Sequence, residues 1–293
     1  MSETEPGSAA PVWLDYDQRA LDAQYDQRTL VPDITPFEKE WRARSDAARQ
    51  LRGLHTDLAY GDSARERIDL FVPPGSGPFP LVVFFHGGGW TRHGKEKFAF
   101  PAPAFVEHGV AFACVGFDLT PAVRLEVLAA QARRGLDWLV AGAAGFGIDA
   151  DAVFTAGHSS GAHLAACVIT GDAEAPPADV KGALLVSGIY DLEPVRRSAR
   201  NAYLHLDASQ AAALSPIARI AENPCPVVVA WGGGELREFQ RQSTAFADAW
   251  ERAGGDVRRV FLPHANHFSI TRELADPTGD MLGTFLELIE TGV

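Results

Sequence analysis

The sequence predicts an α/β fold, a mostly parallel sheet flanked by helices with an N-terminal helical cap or strap, and three observations lead there. From about residue 66 onward, short apolar runs rich in β-branched residues alternate with longer stretches of helical period, the pattern of successive βαβ units. Clusters of proline and glycine, such as the run from Pro73 to Pro78, fall between these stretches where turns are needed. A chain of 293 residues, 46% hydrophobic, is long enough to bury one full core.

Residues 1–50 come first and differ from the rest, carrying Trp13, Tyr16, Tyr25 and Trp41 among many charges and no strand pattern. They read as helices laid over a main domain of residues 51–293, as a lid or as a structural strap. The strand candidates follow: Arg67–Val72, Leu81–Phe85, Val110–Val115, Ala152–Thr155, Gly182–Ser187, Val227–Trp231 and Val257–Leu262. Leu125–Val140 and Leu236–Ala253 read as helices between them; in the second, Phe239, Phe246 and Trp250 make one apolar stripe. Leu282, Phe285, Leu286 and Ile289 mark a closing helix at the C-terminus.

Charge and cysteine content exclude several classes. With 26 basic against 38 acidic residues the net charge is −12, so no broad positive field exists to hold nucleic acid or an anionic membrane. Cys114, Cys167 and Cys225 are odd in number and apolar in context, which argues for reduced core residues rather than a disulfide framework or a metal site. Met1 to Pro11 have neither a basic start nor an apolar run, and no stretch approaches the roughly 18 apolar residues of a membrane helix, so the expected location is the cytoplasm.

Chemistry concentrates in three places. Ala152 to Thr155 leads into Gly157-His158-Ser159-Ser160-Gly161 and then into small and apolar residues of helical character. A bare GxSxG is a weak signal in a glycine-rich chain, but a strand before it and a helix after it make the context of a nucleophile elbow, with Ser159 as candidate nucleophile. Upstream, Leu81–Phe85 runs into His86-Gly87-Gly88-Gly89-Trp90, a strand ending in glycines that can turn backbone N–H groups toward one point. Gly88, Gly89 and Ser160 are the candidate oxyanion donors through their backbone N–H groups. Gly89 to Lys95 also fits the first seven positions of a phosphate-binding loop, but Glu96 stands where a hydroxyl is needed and would repel phosphates.

A general base should follow the last strands, where only His264 and His267 qualify; His267 lies deeper in the returning loop and is the candidate. The partner carboxylate should follow Val227–Trp231, where Glu235 stands after three glycines, with Asp191 and Glu238 as alternatives. His163 reads as a helix-packing residue. Trp90, Tyr190 and Phe268 lie beside these motifs and are candidate substrate-stacking residues or ordinary core.

Together these residues resemble the arylformamidase (kynurenine formamidase)-like branch of the hormone-sensitive-lipase-like α/β-hydrolases. The resemblance spans most of the chain and is carried by Leu21 to Arg28, His86 to Trp90, Gly157 to His163 and Gly234 to Ser243. It implies an α/β-hydrolase fold, hydrolysis of N-formylkynurenine to formate and kynurenine, the acid at Glu235 and the base in the His267-Phe268 pair. Two positions depart from the usual pattern: Glu235 where Asp is commoner, and Ser160 where Ala is usual. The expected substrate is a small, aromatic ester or amide, with no cofactor and no metal, and a homodimer is compatible with the reading. A carboxylesterase for short acyl esters and a non-catalytic ligand-binding relative of the fold are the competing expectations.

Overall fold

The computed structural model describes residues 10–171 and 178–292. Most of Met1 to Pro11, read above as lacking a signal peptide, lies outside the described residues. Eight strands form one sheet: β1 (Leu54–Ala59), β2 (Arg67–Phe71), β3 (Phe79–Phe85), β4 (Ala111–Val115), β5 (Ile148–His158), β6 (Gly182–Val186), β7 (Val227–Gly232) and β8 (Val257–Leu262). Their order is β1-β2-β4-β3-β5-β6-β7-β8, with β2 antiparallel to β1 and β4 and every other pair parallel. The helices are α1 (Gln18–Ala23), α2 (Thr35–Ala48), α3 (Ala102–Glu107), α4 (Leu125–Gly142), α5 (Ser160–Thr170), α6 (Glu193–Arg197), α7 (Asn201–Leu204), α8 (Ala208–Ala213), α9 (Arg237–Arg252) and α10 (Asp280–Gly292). No helix among the described residues is long and apolar enough to cross a membrane.

Helices cover both faces because parallel strands need crossover connections, and the strand period of two sorts the core accordingly. Leu81, Val83 and Phe85 of β3 belong to the core that takes the apolar stripes of α4, α5 and α9, whereas Val82 and Phe84 belong to the one with α2, α3 and α10. In α9 the stripe predicted from Phe239, Phe246 and Trp250 is fully buried, and in α10 so are Leu282, Phe285 and Ile289.

Two elements differ from the sequence expectation. Strand β1 carries no apolar alternation because it is an edge strand with four of its six residues exposed, and a register shift between His55 and Leu58 breaks its period. Strand β5 begins at Ile148 rather than Ala152, since Ile148 pairs with Phe79 across a bulge that the turn-like Asp149-Ala-Asp151 conceals. The N-terminal region is helical as expected, with α1, a 3₁₀ turn at Gln27–Thr29 and α2. Tyr25 and Trp41 fasten it: the Tyr25 hydroxyl bonds Glu238 and Gln242 of α9, and Trp41 Nε1 donates to Thr271 Oγ1 at 2.8 Å.

Candidate active site

Strand β5 delivers Ser159 to the carboxyl edge of the sheet, and the chain reverses there into α5. Ser159 has φ 57° and ψ −122°, a conformation an L-residue avoids at a cost of about 1–3 kcal/mol, so the surroundings must impose it. They do so through the two glycines. A Cβ on Gly157 would meet the Gly161 carbonyl at 2.4 Å, and one on Gly161 would meet the Phe85 carbonyl at 2.0 Å. The Ser159 N–H donates to the Val186 carbonyl of β6 at 2.9 Å, and all eleven residues of α5 are buried. The serine thus stands on a fixed backbone at a helix N-terminus, where the positive end of the dipole favours developing negative charge.

The hydroxyl meets a histidine and a carboxylate from distant loops. His267 Nε2 lies 2.9 Å from Ser159 Oγ, and His267 Nδ1 lies 3.1 Å from Glu235 Oε1. Glu235 follows β7 in a turn that needs its glycines: a Cβ on Gly232 would meet the Ala265 carbonyl at 2.1 Å, one on Gly233 the Pro263 carbonyl at 2.5 Å. These contacts draw the Glu235 turn against the loop carrying His267. The carboxylate on Nδ1 selects the tautomer with its proton there, leaving Nε2 to accept from the serine. Burial pushes the Glu235 carboxyl up to about 7 and the His267 imidazole down to about 3. The Arg200 guanidinium also disfavours a charged His267.

His86 to Gly89 leaves β3 beside the serine. A Cβ on Gly87 would come within 3.3 Å of Ser159 Cβ and 3.0 Å of the His158 carbonyl, so any side chain here would press on the elbow. Gly88 and Gly89 take φ of 132° and 62°, and among the described residues their N–H groups meet no protein acceptor. Gly88 and Gly89 line the same cavity as Ser159, and Ser160 opens α5 directly after it.

Ser159, His267 and Gly87 to Gly89 open on a cavity of about 510 Å³. Its far wall comes from the N-terminal region and from the segment that leads into α7 together with α7 itself: Tyr25, Gln27, Trp41, Arg200 and Tyr203 all line it, as does Phe268. Nothing local in the sequence marks Arg200 or Tyr203, and Gln27 stands out only as part of the Leu21 to Arg28 stretch, because docking of distant segments brings them here. His158 could have been noticed as the second residue of the elbow; its Nε2–H donates to the His267 carbonyl at 2.9 Å and holds the histidine loop in place.

Other candidates fall elsewhere. Trp90 and Tyr190, expected as stacking residues, are corrected to core. Trp90 is 1% exposed with Nε1 directed at His163 Nδ1, and Tyr190 is fully buried and stacked on Phe246 at 4.2 Å. Neither lines the cavity. His163 packs as expected, its Nε2–H donating to the Leu214 carbonyl at 2.9 Å. Asp191 caps the N–H of Glu193, Glu238 is paired with Arg241 and Tyr25, and His264 is exposed. Lys95 of the loop resembling a phosphate site is buried against Asp57 and Asp69 at 2.7 Å each, so its charge is already neutralised within the fold.

Comparison with known proteins places this architecture among acyl hydrolases. The BD-FAE family model matches residues 68–249. Kynurenine formamidase of Salmo salar is 30% identical over 281 residues, covering 90% of this chain and 94% of its own. Kynurenine formamidase of Danio rerio is 28% identical over 292 residues, covering 94% and 98%. A solved Silicibacter protein assigned as a thioesterase superposes with a TM-score of 0.78 at 30% identity, covering 92% of this chain and 98% of its own.

Proposed function

The chain belongs to the BD-FAE family and to the arylformamidase-like branch of the hormone-sensitive-lipase-like α/β-hydrolases, and from that premise we propose that it is a serine hydrolase of aryl formamides or small acyl esters. The observation that carries this reading is the hydrogen-bonded chain Ser159–His267–Glu235 ending on the cavity beside Gly88 and Gly89.

In the first half-reaction Ser159 Oγ attacks the substrate carbonyl carbon as its proton passes to His267 Nε2. The carbonyl oxygen becomes an oxyanion held by the N–H groups of Gly88, Gly89 and Ser160, each worth roughly 3–4 kcal/mol in the transition state. Collapse expels an amine or alcohol, which takes the proton from His267, and leaves the acyl group on Ser159. Water then attacks with His267 as base, releasing the acid and restoring the serine. Glu235 holds the imidazole tautomer and stabilises the imidazolium while it exists. For an N-formyl arylamine the products are formate and the free amine.

Tyr25, Trp41 and Phe268 in the cavity wall favour an aryl group, and the formamidase relatives agree with that chemistry. The thioesterase assignment of the Silicibacter relative favours a second reading, an esterase for short acyl groups. Initial rates of the wild type and of Ser159→Ala on N-formylkynurenine and on 4-nitrophenyl acetate separate them. Serine-dependent preference for the formamide supports the first reading, serine-dependent cleavage of the ester alone the second, and turnover that survives Ser159→Ala overturns both.

A further inference from the structure

We propose that Arg200 is a specificity residue that selects substrates bearing a carboxylate, a proposal that rests on the hydrolase reading above and narrows its substrate class. The cavity wall contains polar atoms that the fold leaves unspent. Among the described residues that line it, the covered polar side-chain atoms without a partner are Gln27 Nε2, Arg200 Nη1 and His158 Nδ1. Two of these three atoms, on Gln27 and Arg200, are donors of residues that line the cavity.

Arg200 uses only Nε within the protein, donating to the Tyr25 carbonyl at 2.9 Å, while its guanidinium lies over the Tyr25 ring at 5.7 Å. Those contacts fix its direction. Nη1 then lies 3.7 Å from where a Gly89 Cβ would stand, with the Tyr203 hydroxyl at 3.8 Å from the same point. The cation therefore sits beside one of the proposed oxyanion donors, and neither terminal nitrogen has a protein acceptor among the described residues.

No acidic residue of the wall is ion-paired with it, although its charge helps to lower the Asp26 carboxyl. Asp26 is engaged by both Nε and Nη2 of Arg28 at 2.8 Å, and Asp22 accepts from Gln18 and from the Ala199 N–H. Arg92, exposed at the mouth, adds positive charge. A protein of net charge −12 thus presents an unpaired cation inside its cavity. A planar guanidinium with two free nitrogens matches a carboxylate, and Gln27 Nε2 and the Tyr203 hydroxyl are further donors on the same wall. The ligand class that satisfies them is an organic anion whose carboxylate reaches this wall while its scissile carbonyl stands at Ser159.

The test compares N-formylkynurenine with its methyl ester, which keeps the formamide and removes the charge, following formate release by wild type, Arg200→Gln and Arg200→Lys. A direct charged hydrogen bond is worth about 10- to 100-fold, so wild type should prefer the free acid and the ratio of the two kcat/KM values should fall by about that factor in Arg200→Gln. Arg200→Lys should retain part of the preference. A merely structural role moves both rates together and leaves the ratio standing, which overturns the proposal, as does a wild type without preference for the acid. If neither formamide is cleaved, competitive inhibition of 4-nitrophenyl acetate hydrolysis by kynurenine and by kynurenine methyl ester reads the same ratio. Preference for the acid that is lost in Arg200→Gln then supports Arg200 although the formamidase reading has failed; equal inhibition, or none, overturns it.

Discussion

Lowering the pH from 8 to 5.5 should cost this protein about 4 kcal/mol of folding stability. The cause is a set of imidazoles buried in the neutral form: burial holds His86 and His163 down to about 4 and His158 down to about 3. In the unfolded chain each titrates near 6.5. Between about pH 6.5 and 4 the unfolded state therefore binds more protons than the folded one, and stability falls as pH falls through that window. At pH 5.5 each such group costs about 1.4 kcal/mol, hence about 4 kcal/mol for three, against a typical total of about 5–15 kcal/mol.

Two neighbours are left out of that sum for physical reasons. The His267–Glu235 pair takes its first proton near 7 through the raised carboxyl, close to where an unfolded imidazole takes its own, so the pair contributes little. Burial holds His93 down as well, but its Nε2 lies 3.6 Å from a Glu38 carboxylate that would receive the proton's charge. Asp191 and Glu273, raised by burial, act in the opposite sense at the acid end. Urea unfolding at pH 8 and 5.5, followed by tryptophan fluorescence, measures the difference. His163→Gln keeps a donor for the Leu214 carbonyl and removes one titrating group, so it should shrink the acid-induced loss by about a third. A loss below about 1 kcal/mol in the wild type would refute the reasoning.

Further predictions concern the site itself. Ser159→Ala should fold normally and lose at least about 10⁴-fold in kcat, retaining only what the oxyanion donors and binding provide; near-normal turnover would remove Ser159 from the mechanism. The acid limb of kcat/KM should fall below about pH 7, where the His267–Glu235 pair takes up its first proton. In Glu235→Gln that proton has no carboxyl to go to and burial keeps the imidazole neutral, so the limb should move to lower pH while kcat drops; an unmoved limb would count against the pairing. Gly161→Ala should cost about 3 kcal/mol or more in chemical denaturation, because the new methyl carbon would stand 2.0 Å from the Phe85 carbonyl, and a neutral result would mean the elbow is less tightly packed than its geometry implies.

What could be read from the sequence tracks how locally each feature is specified. The elbow was legible because Gly157 and Gly161 record a backbone requirement: the turn closes only where no Cβ intrudes, so spacing alone carries the geometry. Glu235 and His267 could be placed because strand order sets which loops return to one edge of the sheet. Proximity in sequence misled at Trp90 and Tyr190. Each follows a motif strand, yet Trp90, at φ 62°, turns its ring onto α5, and Tyr190 packs onto α9. Strand β1 stayed hidden because an exposed edge needs no apolar face to hold it.

The cavity wall was the least legible part, and for a reason that bears on function. Arg200 reaches the site through a contact with Tyr25, 175 residues away, and Gln27 through a single 3₁₀ turn in the N-terminal region. Neither position is required by the sheet or by the elbow, so neither leaves a periodic or glycine-spaced signal. The proposed acyl-transfer chemistry thus sits on turns and loops that the sheet and its glycines fix, while the proposed choice of substrate is tied to residues outside those constraints. The two should therefore separate experimentally. Substitutions at Ser159 or His267 should depress every substrate alike, whereas those at Arg200 should change the ratio between a charged substrate and its neutral counterpart.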